Sequence, residues 1–177
     1  VLGTTEETVL PQYAITEAEV AEHINRLEQA LITTRQQIDE VQQRVSQAMG
    51  TSDAAIFDAH LLILDDPVLL DEVSRMVREE HLNVERAFAT GGARYVAALG
   101  ALKDEYFRER AADVRDVIAR VLSNLLGKPE HTDLSQINEP CILVAHDLTP
   151  SRTALLDRRK VLGFATDQGS RTSHTAI

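Results

Sequence analysis

The sequence predicts an α plus α/β fold, a helical hairpin bundle followed by part of an α/β domain, and three observations predict it. From Thr16 to Gly127 apolar residues recur at steps of three and four, the period of helices that bury one side. After Lys128-Pro129 the pattern changes to two short apolar runs, Cys141 to Ala145 and Val161 to Ala165, which read as strands. Between them Pro150 can open a short helix, and strand, helix and strand in succession suggest a βαβ unit with a parallel sheet.

Each helix has its own signals. Thr16 and Glu19 have capping-box spacing. Behind them Val20, Ile24, Leu27, Leu31, Ile38, Val41, Val45 and Ala48 form a stripe that skips only Thr34, and Gly50 stands where a helix stop is favoured. A second helix starts near Ser52 or Asp53 and carries Ile56, Phe57, His60, Ile63 and Leu64. Pro67 breaks it, and Asp66 caps the next helix with Pro67 at its first position. That helix carries Leu69, Leu70, Val73, Met76 and Val77 on one side. Asn83 is the candidate cap of a fourth helix, whose Gly91-Gly92 pair weakens the expectation of continuity. Tyr106, Val114, Val117, Ile118, Val121, Leu122 and Leu125 form the last stripe, ending at Gly127. Short turns favour antiparallel packing. Beyond the bundle, Cys141 to Ala145 reads as a buried strand with Cys141 in the core. The segment from Thr166 to Ser173 is polar, and a new helix begins near the end.

Composition narrows the function. With 28 acids against 18 bases the net charge is −10, which argues against nucleic acid, since phosphate backbones demand clustered Lys and Arg. Small molecules and basic proteins remain as partners. The longest apolar runs, such as Leu61 to Leu64, are too short to span a bilayer. The single cysteine excludes an internal disulfide and suits a reducing cytoplasm. Six histidines, at least fifteen residues apart, and one cysteine give no zinc spacing. There is no Walker-type loop or dinucleotide fingerprint.

The chemically informative stretch is Gly169-Ser170-Arg171-Thr172-Ser173-His174-Thr175-Ala176-Ile177. It leaves the carboxyl end of the second predicted strand and enters a helix, at the kind of crevice where open α/β sheets bind ligands. Free N–H groups and the helix dipole there favour an anion. Thr172, Ser173 and Thr175 add hydroxyls, and Arg171 adds a fixed charge. The neutral imidazole of His174 is a nucleophile near neutral pH. Because phosphoryl transfer depends mainly on positioning and electrostatics, such a loop can accept a phosphoryl group without a metal of its own. The same residues also fit a structural histidine in a polar loop, and physics alone leaves both readings open.

The string resembles the phosphohistidine motif of Enzyme I, the phosphoenolpyruvate–protein phosphotransferases of the bacterial sugar phosphotransferase system, with Ser170 where the family often has a second glycine. The similar loop of pyruvate phosphate dikinase and phosphoenolpyruvate synthase usually has Cys or Ala beside the histidine, so Ser173 and Thr175 favour Enzyme I. Two further stretches resemble the same family: Glu109-Arg110-Ala111-Ala112-Asp113-Val114-Arg115-Asp116, and Asp147-Leu148-Thr149-Pro150-Ser151 with Thr153 and Lys160-Val161-Leu162-Gly163-Phe164. The resemblance runs from about Thr16 to the end.

What the resemblance implies is specific. Residues 1–15 would be a remnant of the α/β domain and a linker, 16–127 the bundle that binds the carrier protein HPr, and 128–177 part of a swivelling phosphohistidine domain. His174 would accept the phosphoryl group, paired with the Thr153 hydroxyl, in a phosphate loop of Gly169, Arg171, Thr172, Ser173 and Thr175. Ile56, His60, Ile63 and Arg110 would dock HPr on one exposed face. Phosphoenolpyruvate and Mg2+ would bind a separate barrel domain of a cytoplasmic, homodimeric enzyme without a membrane span, and this chain, with both ends clipped, would hold no metal. A nitrogen-related paralogue, a multidomain phosphoryl transfer protein, a dikinase-type domain and a non-enzymatic helical adaptor are the alternatives. On the residues alone, Ile56, Ile63 and Leu64 read as ordinary core and His60 as a satisfied side chain. Eight acids against Arg75 and Arg78 between Gly50 and Glu80 read as a solvated face or as steering for a basic partner. His146 beside Asp147 reads as a loop histidine.

Overall fold

The structure, a computed structural model, describes residues 10–49, 54–101, 105–128, 137, 139–145, 156 and 159–167. Helix α1, Val20–Met49, follows one 3-10 turn, Glu17–Glu19. The Glu19 carboxylate accepts from the Thr16 N–H and hydroxyl, each at 2.7 Å, the backbone half of the spacing read from the sequence. Those bonds, the backbone one first, hold the Glu19 carboxyl below its ordinary range. Val20, Leu27, Ile38, Val41 and Val45 are buried along the predicted stripe. Thr34, the gap in it, is also fully buried, and its hydroxyl accepts from Asn124 Nδ2 at 2.8 Å. Gln37 exchanges amide hydrogen bonds with the same Asn124. The gap is therefore a polar rung between α1 and the last helix.

Helix α2, Ile56–Leu64, and helix α3, Pro67–Glu79, meet at the predicted Asp66 cap, whose Oδ1 accepts from the Val68 N–H at 2.8 Å. Helix α4, Val84–Gly100, is the expected fourth helix and passes unbroken through Gly91-Gly92, the pair that weakened the expectation of continuity. The pair serves close approach: a Cβ on Gly91 would stand 3.0 Å from Val73 Cγ2, and one on Gly92 would stand 2.7 Å from Ile118 Cδ1. Helix α5, Glu105–Leu125, buries Val114, Val117, Val121 and Leu125. It ends where Gly127 takes φ +60° and the Lys128 N–H bonds the Ser123 carbonyl at 3.1 Å. The bundle core is continuous from Ile15 to Leu125.

Asn83 sits at the N-cap position of α4, but its side chain makes no cap bond. It is spent on the incoming strand of chain instead: Oδ1 accepts from the Tyr13 N–H at 3.3 Å, and Nδ2 donates to the Pro11 carbonyl at 3.0 Å and to Glu85 Oε2 at 2.8 Å. A bridge between Ala14 and Leu82 and the bond from Ile15 N–H to the His81 carbonyl complete this strap. Glu85, 3% exposed, is also ion-paired with Arg26 of α1, which donates to the Leu125 carbonyl at 3.2 Å.

Strands β1, Cys141–Ala145, and β2, Val161–Thr166, pair in parallel, with Leu143 opposite Phe164 and Val144 opposite Ala165. The predicted strands and their sense agree with this, while the predicted crossover helix at Pro150 lies outside the described residues. Their burial differs from the expectation. Leu143 is 6% exposed, but Ile142 and Val144 are 69% and 75% exposed and Cys141 is half-buried. Alternation along β1 puts Leu143 on the covered face and Ile142 and Val144 on the open one.

The close approach at α4 gives a stability test. Alanine is the better helix former by about 1 kcal/mol, yet Gly92→Ala should lose about 1–2 kcal/mol because Ile118 must shift. Gly100→Ala, which meets nothing within 4 Å, should gain a few tenths of a kcal/mol. Urea unfolding of both variants measures the contrast, and equal effects would remove the packing explanation.

Candidate functional site

The residues proposed for the phosphate loop, Gly169, Arg171, Thr172, Ser173, His174 and Thr175, lie outside the described residues, as does Thr153. What is described is their approach. β1 and β2 run in parallel, so both carboxyl ends reach one edge of the sheet, and the chain leaves Thr166 from that edge toward the loop. That is the edge at which ligands bind in such sheets.

The residues expected to dock a partner fall on two helices. Ile56 and Ile63 are half-buried on α2, and Arg110 lies on α5, its side chain outside the description. His60 departs from the expected exposed face: it is 1% exposed. The cause is helical phase. Ile56, His60 and Ile63 stand at i, i+4 and i+7, on one side of the helix, and that side is turned against the bundle, where Phe57 and Leu64 are buried as well. The His60 ring meets Phe57 edge-on, with centroids 5.5 Å apart, and its Nε2 stands 3.7 Å from Asp113 Oδ1.

Two apolar side chains that were not singled out from the sequence stand outward instead: Leu62 at 74% and Val68 at 69% exposure. A signal for Leu62 was present. Leu61 to Leu64 is a run of four apolar residues, more than one turn, so one of them must face away from the core. Leu62 stands in the last turn of α2 and Val68 in the first turn of α3, so both lie at the corner where α2 turns into α3.

The acids around this corner are partly answered from other helices. Arg35 of α1 pairs with Asp65, and Arg94 of α4 reaches Glu72 at 2.6 Å. Arg75 bonds Glu72 at 3.2 Å and Glu80 at 2.9 Å. Counting charges between Gly50 and Glu80 missed Arg35 and Arg94, which lie elsewhere in the chain. Glu72 is held below the usual carboxylate range by its hydrogen bond to Arg75 first, which outweighs the opposing effect of burial, with Arg94 adding less. Asp66 has two tasks: capping α3 and accepting the Tyr95 hydroxyl. Burial first, then the bond to Asp66, pushes the Tyr95 hydroxyl up to about 12.

Among the described residues no group of three His, Cys, Asp or Glu side chains could hold a metal ion, and no helix is long and apolar enough to cross a membrane.

Because burial and then the bond to Asp66 hold the folded Tyr95 pKa above its ordinary 10.0, the neutral phenol there contributes stability that is complete below about pH 10 and fades as pH rises toward 12. A spectrophotometric titration should therefore show one tyrosine ionising near 12, and Tyr95→Phe should delete that step. Ionisation of all tyrosines near 10 would contradict the bond.

Comparison with known proteins matches residues 1–110 to the family described as PEP-utilising enzyme, N-terminal, and residues 137–177 to the PEP-utilising enzyme, mobile domain. The chain is 44% identical over 162 residues to the phosphoenolpyruvate-protein phosphotransferase of Geobacillus stearothermophilus, covering 92% of this chain. It is 41% identical over 154 residues to that of Bacillus subtilis, covering 87% of this chain. It spans only 28% and 27% of the length of those relatives. Among solved structures, an NMR solution structure of Enzyme I matches 97% of this chain and 68% of its own, with TM-score 0.82 and 38% identity. The N-terminal domain of the nitrogen form of Enzyme I matches 96% of this chain and 67% of its own, with TM-score 0.69 and 26% identity.

Proposed function

The chain belongs to the PEP-utilising enzymes, and within them to Enzyme I, and on that premise we propose that it relays a phosphoryl group from phosphoenolpyruvate through His174 to the carrier protein HPr in sugar uptake. A ring nitrogen of His174 attacks phosphorus; the N–P bond forms as the bond to the enolpyruvate oxygen breaks, and protonation of that product leaves pyruvate. A histidine nitrogen of HPr then attacks the same phosphorus and frees His174. Thr153 holds the imidazole by its hydroxyl, while Arg171 and the hydroxyls and N–H groups of Gly169, Thr172, Ser173 and Thr175 cradle the phosphate.

What carries the reading is the Gly169–Ile177 string placed after two parallel strands, in a chain whose bundle matches Enzyme I along its length. Phosphoenolpyruvate and magnesium belong, in this reading, to a separate domain of a cytoplasmic homodimer. The higher identity to the Enzyme I structure than to its nitrogen form, 38% against 26%, supports the sugar branch.

HPr docks on the corner of α2 and α3 and on α5, with Leu62, Val68, Ile56 and Ile63 as apolar contacts and Arg110 of α5 as a charged one. The surplus of acids steers a basic partner, so association should weaken as salt rises.

Incubation with phosphorylated HPr, followed by mass spectrometry, should map acid-labile phosphate to His174 and to none of the other histidines. Labelling of His174→Ala as strong as wild type would sink the assignment. Thr153→Val should slow transfer roughly fivefold, the equivalent of a hydrogen bond worth about 1 kcal/mol. An unchanged rate would remove Thr153 from the site. Separately, Leu62→Glu and Arg110→Glu should each weaken HPr binding at least about tenfold, in the range of an interface hot spot. Unaltered affinity in both would overturn the docking face while leaving His174 in place.

A further inference from the structure

Helix α2 has nine residues. A helix that short does not hold itself in water, so its rotation and axial position come from what it packs on. Its apolar contacts, Phe57 and Leu64, are non-directional. At a radius of roughly 6 Å, a rotation of about 20° would carry an outward side chain about 2 Å. That shift is large for a docking face assembled from α2 and α5, which carry Leu62 and Arg110 respectively.

One contact between these two helices is directional. His60 is 1% exposed and Asp113 of α5 is 7% exposed. His60 Nε2 faces Asp113 Oδ1 at 3.7 Å, a close polar approach just beyond a direct hydrogen bond. The ring plane is set by its edge-on contact with Phe57. His60 Nε2 has no hydrogen-bond partner among the described residues. A buried polar contact of this kind stabilises less than a well-packed apolar pair would, so its value lies in arrangement. Its placement fits that value. Leu62 follows His60 by two residues, about 200° around the helix, so the inward ring sets the outward side chain. Arg110 lies one turn before Asp113 on α5.

We infer that His60 is a positioning residue for carrier docking, holding α2 against α5 through Asp113 so that the two halves of the docking face present one fixed arrangement. The inference rests on the docking reading above. It also replaces His60 as a surface contact with His60 as an interior one.

The test is HPr affinity by titration calorimetry on the whole protein, with thermal midpoints measured alongside. His60→Leu should keep the midpoint within a few degrees and weaken binding about fivefold. His60→Gln, whose side-chain N–H reaches about as far as Nε2, should restore affinity to within about twofold of wild type. A purely structural role would make affinity follow the midpoint and give no such rescue. If His60→Leu fails to fold, Asp113→Asn takes its place with the same expected weakening. Leu62→Glu is the control for docking itself. Wild-type affinity in the His60 and Asp113 variants, with Leu62→Glu impaired, overturns the positioning role and leaves the docking face standing. Normal binding by both Leu62→Glu and Arg110→Glu removes the docking reading and this inference with it.

Discussion

A carboxylate cannot stay buried without partners, and Glu85 at the start of α4 is the buried carboxylate around which the bundle closes. Burial alone would raise its pKa, but hydrogen bonds from Asn83, from its own backbone N–H and from Arg26 outweigh that and leave the group below its ordinary range. Each partner brings an element with it. Asn83 brings the strap at Pro11 and Tyr13, and Arg26 brings α1 together with the last carbonyl of α5. The chain's entry into the bundle and its exit toward the sheet are thus tied to one charge. Stability from this group is complete above its unfolded value near 4.5 and is lost as pH falls through the lower folded one.

Within that frame the helices approach as closely as their side chains allow. Gly91 admits Val73 of α3 and Gly92 admits Ile118 of α5, while the amide rung of Asn124 on Thr34 and Gln37 sets the register of α5 on α1. The bundle is cross-tied by hydrogen bonds at the strap and close-packed along these seams. The short α2 is placed against it by Phe57, His60 and Leu64. A platform held this way can offer an apolar corner, Leu62 and Val68, to a partner without rearranging.

Much of this was legible in the sequence because apolar period and caps are local signals. The α1 stripe, the Asp66–Pro67 junction, the Gly127 stop and the two strands all follow from residues within a turn or two of one another. What was misread depends on distant partners. Thr34 was a gap in the stripe until Asn124, ninety residues on, accounted for it. Asn83 had the composition of a cap, but the strap claimed its side chain. Gly91-Gly92 suggested a weak helix because propensity does not contain the neighbours that need the space. His60 was placed outside, although its i+4 and i+7 relation to Ile56 and Ile63 put it on the buried side. Arg35 and Arg94 answer acids that a local count left unpaired. Ile142 and Val144 looked like core because apolar residues in a strand say nothing of what covers it. The phosphate loop rests on its motif and family, since it lies outside the described residues.

The central claim is that the corner of α2 and α3, together with α5, is a preformed docking platform for HPr. Amide chemical-shift mapping of the isotope-labelled protein titrated with HPr tests it most directly. The account predicts perturbations concentrated on Ile56 to Val68 and around Arg110, with Glu85, Asn83 and the strap unmoved. Shifts centred on the outer side of α1, around Ile32 and Thr33, or spread through the strap would contradict it.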